Sequence, residues 1–177
     1  SWRKGIEEII ESGLKGQLFI YACEVYPNTE LAQGDYQKKF GIITKRMRLT
    51  ETHGLVRKKH DIQEFQEIVI GTDSMSVDEW RKEMIFSWLI MTLHSLKLGF
   101  FVLQYLFYKL KVKFTDIVGY ICEAGMAKKC KVLSKELEIY RQHVDTMLAG
   151  GGKCVVMPSY GNVYWDMEEA SFLRISE

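Results

Sequence analysis

The sequence predicts a mixed α/β (α+β) fold dominated by helices, and three stretches carry that prediction. Residues 17 to 26 are an apolar run of strand character. Residues 41 to 50 and 64 to 72 alternate like paired strands, and a capping box at Ser76 opens a long apolar stretch that closes near Leu110. The chain has 177 residues, 24 Lys+Arg against 23 Asp+Glu, 47% hydrophobic residues and 2 Pro. At this size about 70% of the chain surface is buried on folding, so an ordinary core forms without disulfides or metals. That composition excludes disordered, collagen-like and cysteine-scaffold classes, and a net charge of +1 supplies no global field for nucleic acid or an anionic membrane.

The elements follow in order. Residues 2 to 12 set Ile6, Ile9 and Ile10 at helical spacing among Glu7, Glu8 and Glu11, with Gly13 or Gly16 as the stop. Gln17 to Tyr26 is apolar on both alternating faces until Glu24, the pattern of a buried parallel strand, and Pro27-Asn28-Thr29-Glu30 breaks it. From Gly41 to Thr50, Ile43, Met47 and Leu49 alternate with Thr44, Arg46 and Arg48, which predicts a strand with one wet face. Glu64 to Thr72 is its expected antiparallel partner across a long polar connection. In Ser76-Val77-Asp78-Glu79 the serine hydroxyl accepts from the third helical N–H while Glu79 accepts from the Ser76 N–H. The helix so started runs through Trp80, Met84, Trp88, Met91 and Leu96, with Gly99 as the expected break before Phe100 to Leu110. A further helix is predicted from Thr115-Asp116 to near Gly125. Next comes an amphipathic one carrying Leu133, Leu137, Tyr140, Val144 and Leu148, closed by Gly150-Gly151-Gly152 as a flexible cap. Lys153 to Pro158 reads as a short strand and Glu168 to Leu173 as a last short element.

Motifs with chemical meaning are few. Met84 to Tyr108 is long enough to cross a bilayer, which takes about 20 residues. His94, Ser95 and Lys97 sit near its centre, however, and a central lysine costs about 2.5 to 3.5 kcal/mol. A buried helix, with no membrane as partner, is the expected reading. Gly150-Gly151-Gly152-Lys153-Cys154 lacks the first glycine and the hydroxyl of a phosphate loop, and it follows a helix rather than preceding one. The cysteines at 23, 122, 130 and 154 show neither disulfide-framework nor metal spacing, so reduced thiols of a cytoplasmic protein and no metal site are expected. His53, His60, His94 and His143 are scattered, with no nucleophile elbow or H-E-x-x-H. Lys45, Arg46, Arg48, Arg57, Lys58, Lys59 and His60 form one basic cluster. Asp61, Glu64 and Glu67 follow it directly, so cross-strand charge matching, or a solvated face, is expected ahead of nucleic-acid or phosphate binding.

One resemblance adds to this. Tyr21-Ala22-Cys23-Glu24-Val25-Tyr26-Pro27-Asn28-Thr29-Glu30-Leu31 resembles the late barrel strand of radical S-adenosylmethionine enzymes, where the strand ends in a P-G-T-E-L-like turn. Asn28 stands at the glycine position, and asparagine also accepts left-handed backbone angles. With Tyr36-Gln37-Lys38-Lys39-Phe40-Gly41, Leu49-Thr50-Glu51-Thr52-His53-Gly54, Met75-Ser76-Val77-Asp78-Glu79-Trp80 and Leu93-His94-Ser95-Leu96-Lys97, the chain looks like the C-terminal region of the cobalamin-binding radical S-adenosylmethionine proteins. These include relatives of the anaerobic magnesium-protoporphyrin ester oxidative cyclase.

The resemblance implies that residues 1–40 are the last strand and helix portion of a (βα) barrel, 41–75 an antiparallel strand pair, and 76–177 a helical module that completes the barrel and caps the substrate cavity. It implies a longer parent, a radical oxidoreductase or methyltransferase, with a [4Fe-4S] cluster, S-adenosylmethionine and optionally cobalamin as cofactors. Both ends of the chain fit a segment of such a protein: it opens at Ser1 already in a helix and stops on a hydrophobic alternation, Phe172 to Ile175. The family's C-x-x-x-C-x-x-C is not in these residues, so the fragment is expected to hold no cofactor by itself, and the rest of the parent is its implied partner. Barrel sites lie at the C-terminal ends of strands, so Ala22 and Glu24, or the alternate face with Cys23 and Val25, would lie nearest the adenosyl group. Ala22 and Glu24 are the candidates for S-adenosylmethionine contact. A buried carboxylate needs a partner, and a salt bridge from a basic residue is the competing role for Glu24. The competing class for the whole chain is a non-catalytic helical module that binds a partner or dimerises through residues 80–108.

Overall fold

A computed structural model of the protein describes residues 2–58, 60–122 and 129–177. Helix α1 (Trp2–Glu11) turns Ile6 and Ile10 into the core, leaves Ile9 in solvent, and is tied to the rest by a bond from Arg3 Nε to Glu83 of 2.9 Å. A 3₁₀ turn at Glu30–Ala32 and a short α2 (Gly34–Lys39) lead into β1 (Ile43–Arg48). Strand β1 pairs antiparallel with β2 (Phe65–Gly71), setting Arg46 opposite Glu67 and Met47 opposite Gln66. This is the predicted pair. The expected cross-strand charge matching is met only in the connection, where Arg57 pairs with Glu64; Lys45, Arg46 and Arg48 form no ion pair among the described residues, Glu67 accepts from the Thr44 hydroxyl, and Arg46 lies 4.3 Å over the Phe65 ring. Lys59 lies outside the described residues.

Helix α3 (Val77–Ile90) starts on the predicted capping box, with Glu79 N donating to Ser76 Oγ at 3.2 Å and Ser76 N to Glu79 Oε2 at 2.7 Å. Phe86, Trp88, Leu89 and Ile90 are fully buried, and Trp88 stacks on Tyr140 at 4.9 Å while donating to Ser171 Oγ. The helix continues through one π-helical turn (Met91–Ser95). It then breaks by 93° into α4 (Phe100–Leu110). The reversal is made by Lys97, whose φ is +69°. The break falls before Phe100 as predicted, with Gly99 as the N-cap of α4 at φ −118°, and Lys97 is the left-handed residue within it.

Helix α5 (Phe114–Cys122) packs against α1 and α3, and its predicted end near Gly125 lies outside the described residues. Helix α6 (Lys131–Leu148) buries Leu137, Tyr140 and Val144 as its periodicity predicts. The glycines after it are not a loose cap. Gly150, at φ +98°, donates to Met147 O, and Gly151 N reaches Thr146 O at 2.9 Å, a Schellman closure. A Cβ on Gly152 would stand 2.3 Å from Thr50 Cγ2, so the turn is packed against the end of β1. The predicted strand at 153–158 is realised as β3 (Val155–Val156), paired antiparallel with β4 (Tyr164–Trp165). The last predicted element is α7 (Met167–Ser176).

One cluster forms the core and draws on all three parts of the chain, with Ile6, Met47, Ile68, Trp88, Val144 and Met167 among its members. Residues 17–26 depart most from expectation. They are extended but are not a buried parallel strand: their single bridge, Glu24 to Ile68, is antiparallel. Val25 N donates to Glu67 O at 2.8 Å and Val69 N to Cys23 O at 2.9 Å. The upstream half hangs on Ser95, whose Oγ accepts from Leu18 N and donates to Leu18 O. Strand β2 is the neighbour that this segment meets, and β2 runs the other way. Among the described residues, no single helix is long and apolar enough to cross a membrane.

Candidate functional site

Alternation along 17–26 decides which side chains face the body. Leu18, Ile20 and Ala22 pack against the core, and Phe19, Tyr21 and Cys23 are exposed. Glu24 shares the inward face with Ala22, but the two residues do not enter the same cavity. Ala22 lines a cleft of about 330 Å³ with Trp80, Met84 and Ser87. Glu24 lines another of about 550 Å³, together with Tyr26, Arg46, Gln63, Gln66 and Glu67. On the alternate face Cys23 is exposed, whereas Val25 is buried.

Glu24 has the partner that its position demands. Lys153 Nζ lies 2.8 Å from Oε1, and Tyr26 donates its hydroxyl to Oε2 at 2.7 Å. The Lys153 bond holds the Glu24 carboxyl below the usual carboxylate range, with burial opposing it and Tyr26 assisting. Burial pulls the Lys153 ammonium down, but the bond and charge of Glu24 outweigh it and leave the amine above its ordinary value. Both groups are therefore charged at neutral pH. Lys153 is set in place from behind: the His143 Nε2–H donates to Lys153 O at 2.9 Å, and burial keeps that imidazole below its ordinary pKa and so neutral.

Next to Lys153 the chain passes under β1. Cys154 N donates to Thr50 Oγ1 at 3.0 Å, Cys154 Sγ points at Asp166 Oδ1, and Thr52 Oγ1 donates to Asp166 Oδ2 at 2.8 Å. Burial pushes the Cys154 thiol up to about 11, with Asp166 adding to the rise against hydrogen bonds from Thr50 and Thr52, so it is no nucleophile at neutral pH. Burial also raises the Glu168 carboxyl, to about 7, helped by the charges of Asp166 and Glu169. The site therefore combines a charged pair, Lys153 and Glu24, with a protonated thiol and a neutral imidazole bonded to a carbonyl. Among the described residues no three His, Cys, Asp or Glu stand together so as to hold a metal ion.

Gln66 is the residue that sequence reasoning missed. It sits on the core face of β2, two residues before Ile68. Both atoms of its amide are buried in the wall of the Glu24 cleft with no hydrogen-bond partner among the described residues. The signal was a polar residue on the apolar phase of an alternating strand. Lys153 was legible only as a failed phosphate loop, because its partner lies 129 residues away.

No protein-family model matches the chain, and no curated protein matches its sequence.

Proposed function

We propose that this chain is the C-terminal portion of a radical S-adenosylmethionine enzyme of the cobalamin-binding group, in which residues 17–26 are the last barrel strand and the helical module covers the substrate cavity. The observation that carries the reading is the open state of that strand. Phe19 and Tyr21 stack on each other at 6.2 Å on its outer face, Tyr21 with 73% of its surface exposed. On its edge no hydrogen bond reaches the N–H of Ala22 or Glu24 among the described residues. An apolar strand face and an edge whose pairing stops after Leu18 and Ile20, held by Ser95 and Met91, are liabilities in water. The remaining strands of a barrel would cover both.

The residues here fit S-adenosylmethionine in part. The Gln66 amide offers an unused donor and acceptor and Glu24 a carboxylate at the strand end, whereas Ala22 lines a separate cleft and does not join them. Glu24 and Gln66 would orient the polar end of the cofactor, and Lys153 would hold the Glu24 carboxylate in the ionised state that a cationic group requires. When bound, S-adenosylmethionine supplies the radical or the methyl group that such enzymes transfer. The donor set for a [4Fe-4S] cluster is not in this chain, so the cluster, like cobalamin, would belong to the rest of the parent.

Calorimetric titration of S-adenosylmethionine into the reconstituted parent tests the reading. Glu24→Gln should weaken binding by about ten-fold or more, the worth of one charge-assisted hydrogen bond. Unchanged affinity removes Glu24 from the site, and a parent that binds no S-adenosylmethionine overturns the assignment. The second reading, a free-standing helical binding or dimerisation module, is favoured by one observation, the exposed aromatic face of α4.

A further inference from the structure

Helix α4 is unlike the helix that it follows. Its sequence, Phe100 to Leu110, is almost wholly apolar, yet Leu103 is its one fully buried residue. Phe101 is 82% exposed, and Val102, Tyr105, Tyr108 and Leu110 are also in solvent. Phe101, Tyr105 and Tyr108 follow at i, i+4 and i+7, so they form one stripe along a rod of about 16 Å.

The charged residues that α4 and its flanking segments contribute have one sign. Residues 84 to 115 contain no Asp or Glu, and Lys97, Lys109, Lys111 and Lys113 frame α4 at its two ends. Lys97 lies 4.0 Å over the Phe100 ring, and Lys113 pairs with Glu7 at 3.6 Å. Lys109 and Lys111 pair with no carboxylate among the described residues. A groove of about 570 Å³ adjoins the start of the helix, walled by Leu93, Leu98 and Val132 and rimmed by Lys129 and Lys131. Pairing two copies through α4 would set lysines against lysines whether the helices ran parallel or antiparallel. Like charges in a desolvated interface count against such a dimer.

We propose that α4 is a membrane-surface element, lying in the plane of an anionic lipid bilayer with Phe101, Tyr105 and Tyr108 among the acyl chains and its lysines on the headgroups. An apolar aromatic face between basic ends is what an interfacial helix requires, and the 93° break after Ser95 presents α4 apart from the buried α3. This replaces the expectation of no membrane partner, which rested on net charge and on spanning rather than surface binding. It is independent of the radical-enzyme reading.

The test is co-sedimentation of the 177-residue chain with vesicles of equimolar phosphatidylcholine and phosphatidylglycerol, beside vesicles of phosphatidylcholine alone. The chain should sediment with the anionic vesicles and be released as salt rises. Lys109→Gln with Lys111→Gln should weaken partition roughly thirty-fold, about five-fold for each lysine near the surface. Phe101→Ser with Tyr105→Ser should weaken it about ten-fold or more while leaving thermal unfolding unchanged, since both side chains are exposed. No sedimentation with anionic vesicles, or equal sedimentation with both kinds, overturns the proposal. So does a dimer in light scattering that Phe101→Ser dissociates, which would give the face to a second copy.

Discussion

Replacing Lys153 by methionine probes the pair that joins residues 17–26 to the loop after α6. The ammonium and the Glu24 carboxylate are 2.8 Å apart, with side chains 34% and 27% exposed. A charge-assisted hydrogen bond contributes about 1.5 to 3 kcal/mol, and partial exposure places this one at the low end, about 1.5 kcal/mol at pH 7. In a chain of this size that lowers Tm by about 3 to 6 °C. The pH dependence has a fixed sign. Because the folded Glu24 carboxyl lies below its ordinary value, its contribution is present above the unfolded pKa and is lost as pH falls through the folded one. Urea unfolding followed by tryptophan fluorescence should therefore show Lys153→Met clearly weaker than the parent chain at pH 7, with the difference shrinking as pH falls through the folded Glu24 pKa. With Glu24→Gln it should close a double-mutant cycle with a coupling of about 1 kcal/mol. Single losses below about 0.3 kcal/mol that simply add would refute the pairing as a link that matters.

Other sites give sharper contrasts. Gly152→Ala should destabilise by about 1 to 3 kcal/mol in the same titration, since its Cβ meets Thr50 Cγ2 at 2.3 Å. Gly5→Ala in α1, with nothing within 4 Å of the new atom, should gain up to about 1 kcal/mol. Arg174 holds Glu136, which is 3% exposed, through bonds of 2.6 to 3.0 Å. Arg174→Leu should cost about 3 to 5 kcal/mol by leaving that carboxylate buried alone, and adding Glu136→Leu should restore most of it, as calorimetry can show. Glu168, raised to about 7, favours the fold below its unfolded pKa, and that advantage is lost as pH rises toward 7. Glu168→Gln should therefore gain on the parent chain by about 2 to 3 kcal/mol between about pH 5 and pH 8 in parallel melts.

Local rules made much of the fold legible. The capping box placed the start of α3 because its two hydrogen bonds lie within four residues, and the spacing from Leu133 to Leu148 placed α6. The pairing of β1 with β2 was readable because an antiparallel pair brings neighbouring segments together. What failed depended on distance along the chain. Residues 17–26 carry the composition of a buried parallel strand, but β2 beside them runs antiparallel and their outer face is open. The Glu24 partner, Lys153, comes from a loop that Schellman closure and the Thr50 contact hold in place, which no spacing reveals. The break at Gly99 was legible, although the left-handed residue within it is Lys97. For the site, Glu24 was visible as a carboxylate out of place in an apolar run. Gln66 was hidden inside a strand whose other residues satisfied the pattern.

The central claim is that residues 17–26 end a barrel begun elsewhere in a longer polypeptide. The coding sequence immediately upstream of the Ser1 codon tests it most directly. An open reading frame that continues through C-x-x-x-C-x-x-C and earlier barrel strands is the expected result. An in-frame stop followed by an initiation codon next to Ser1 would contradict it, and the open strand face would then need another cover.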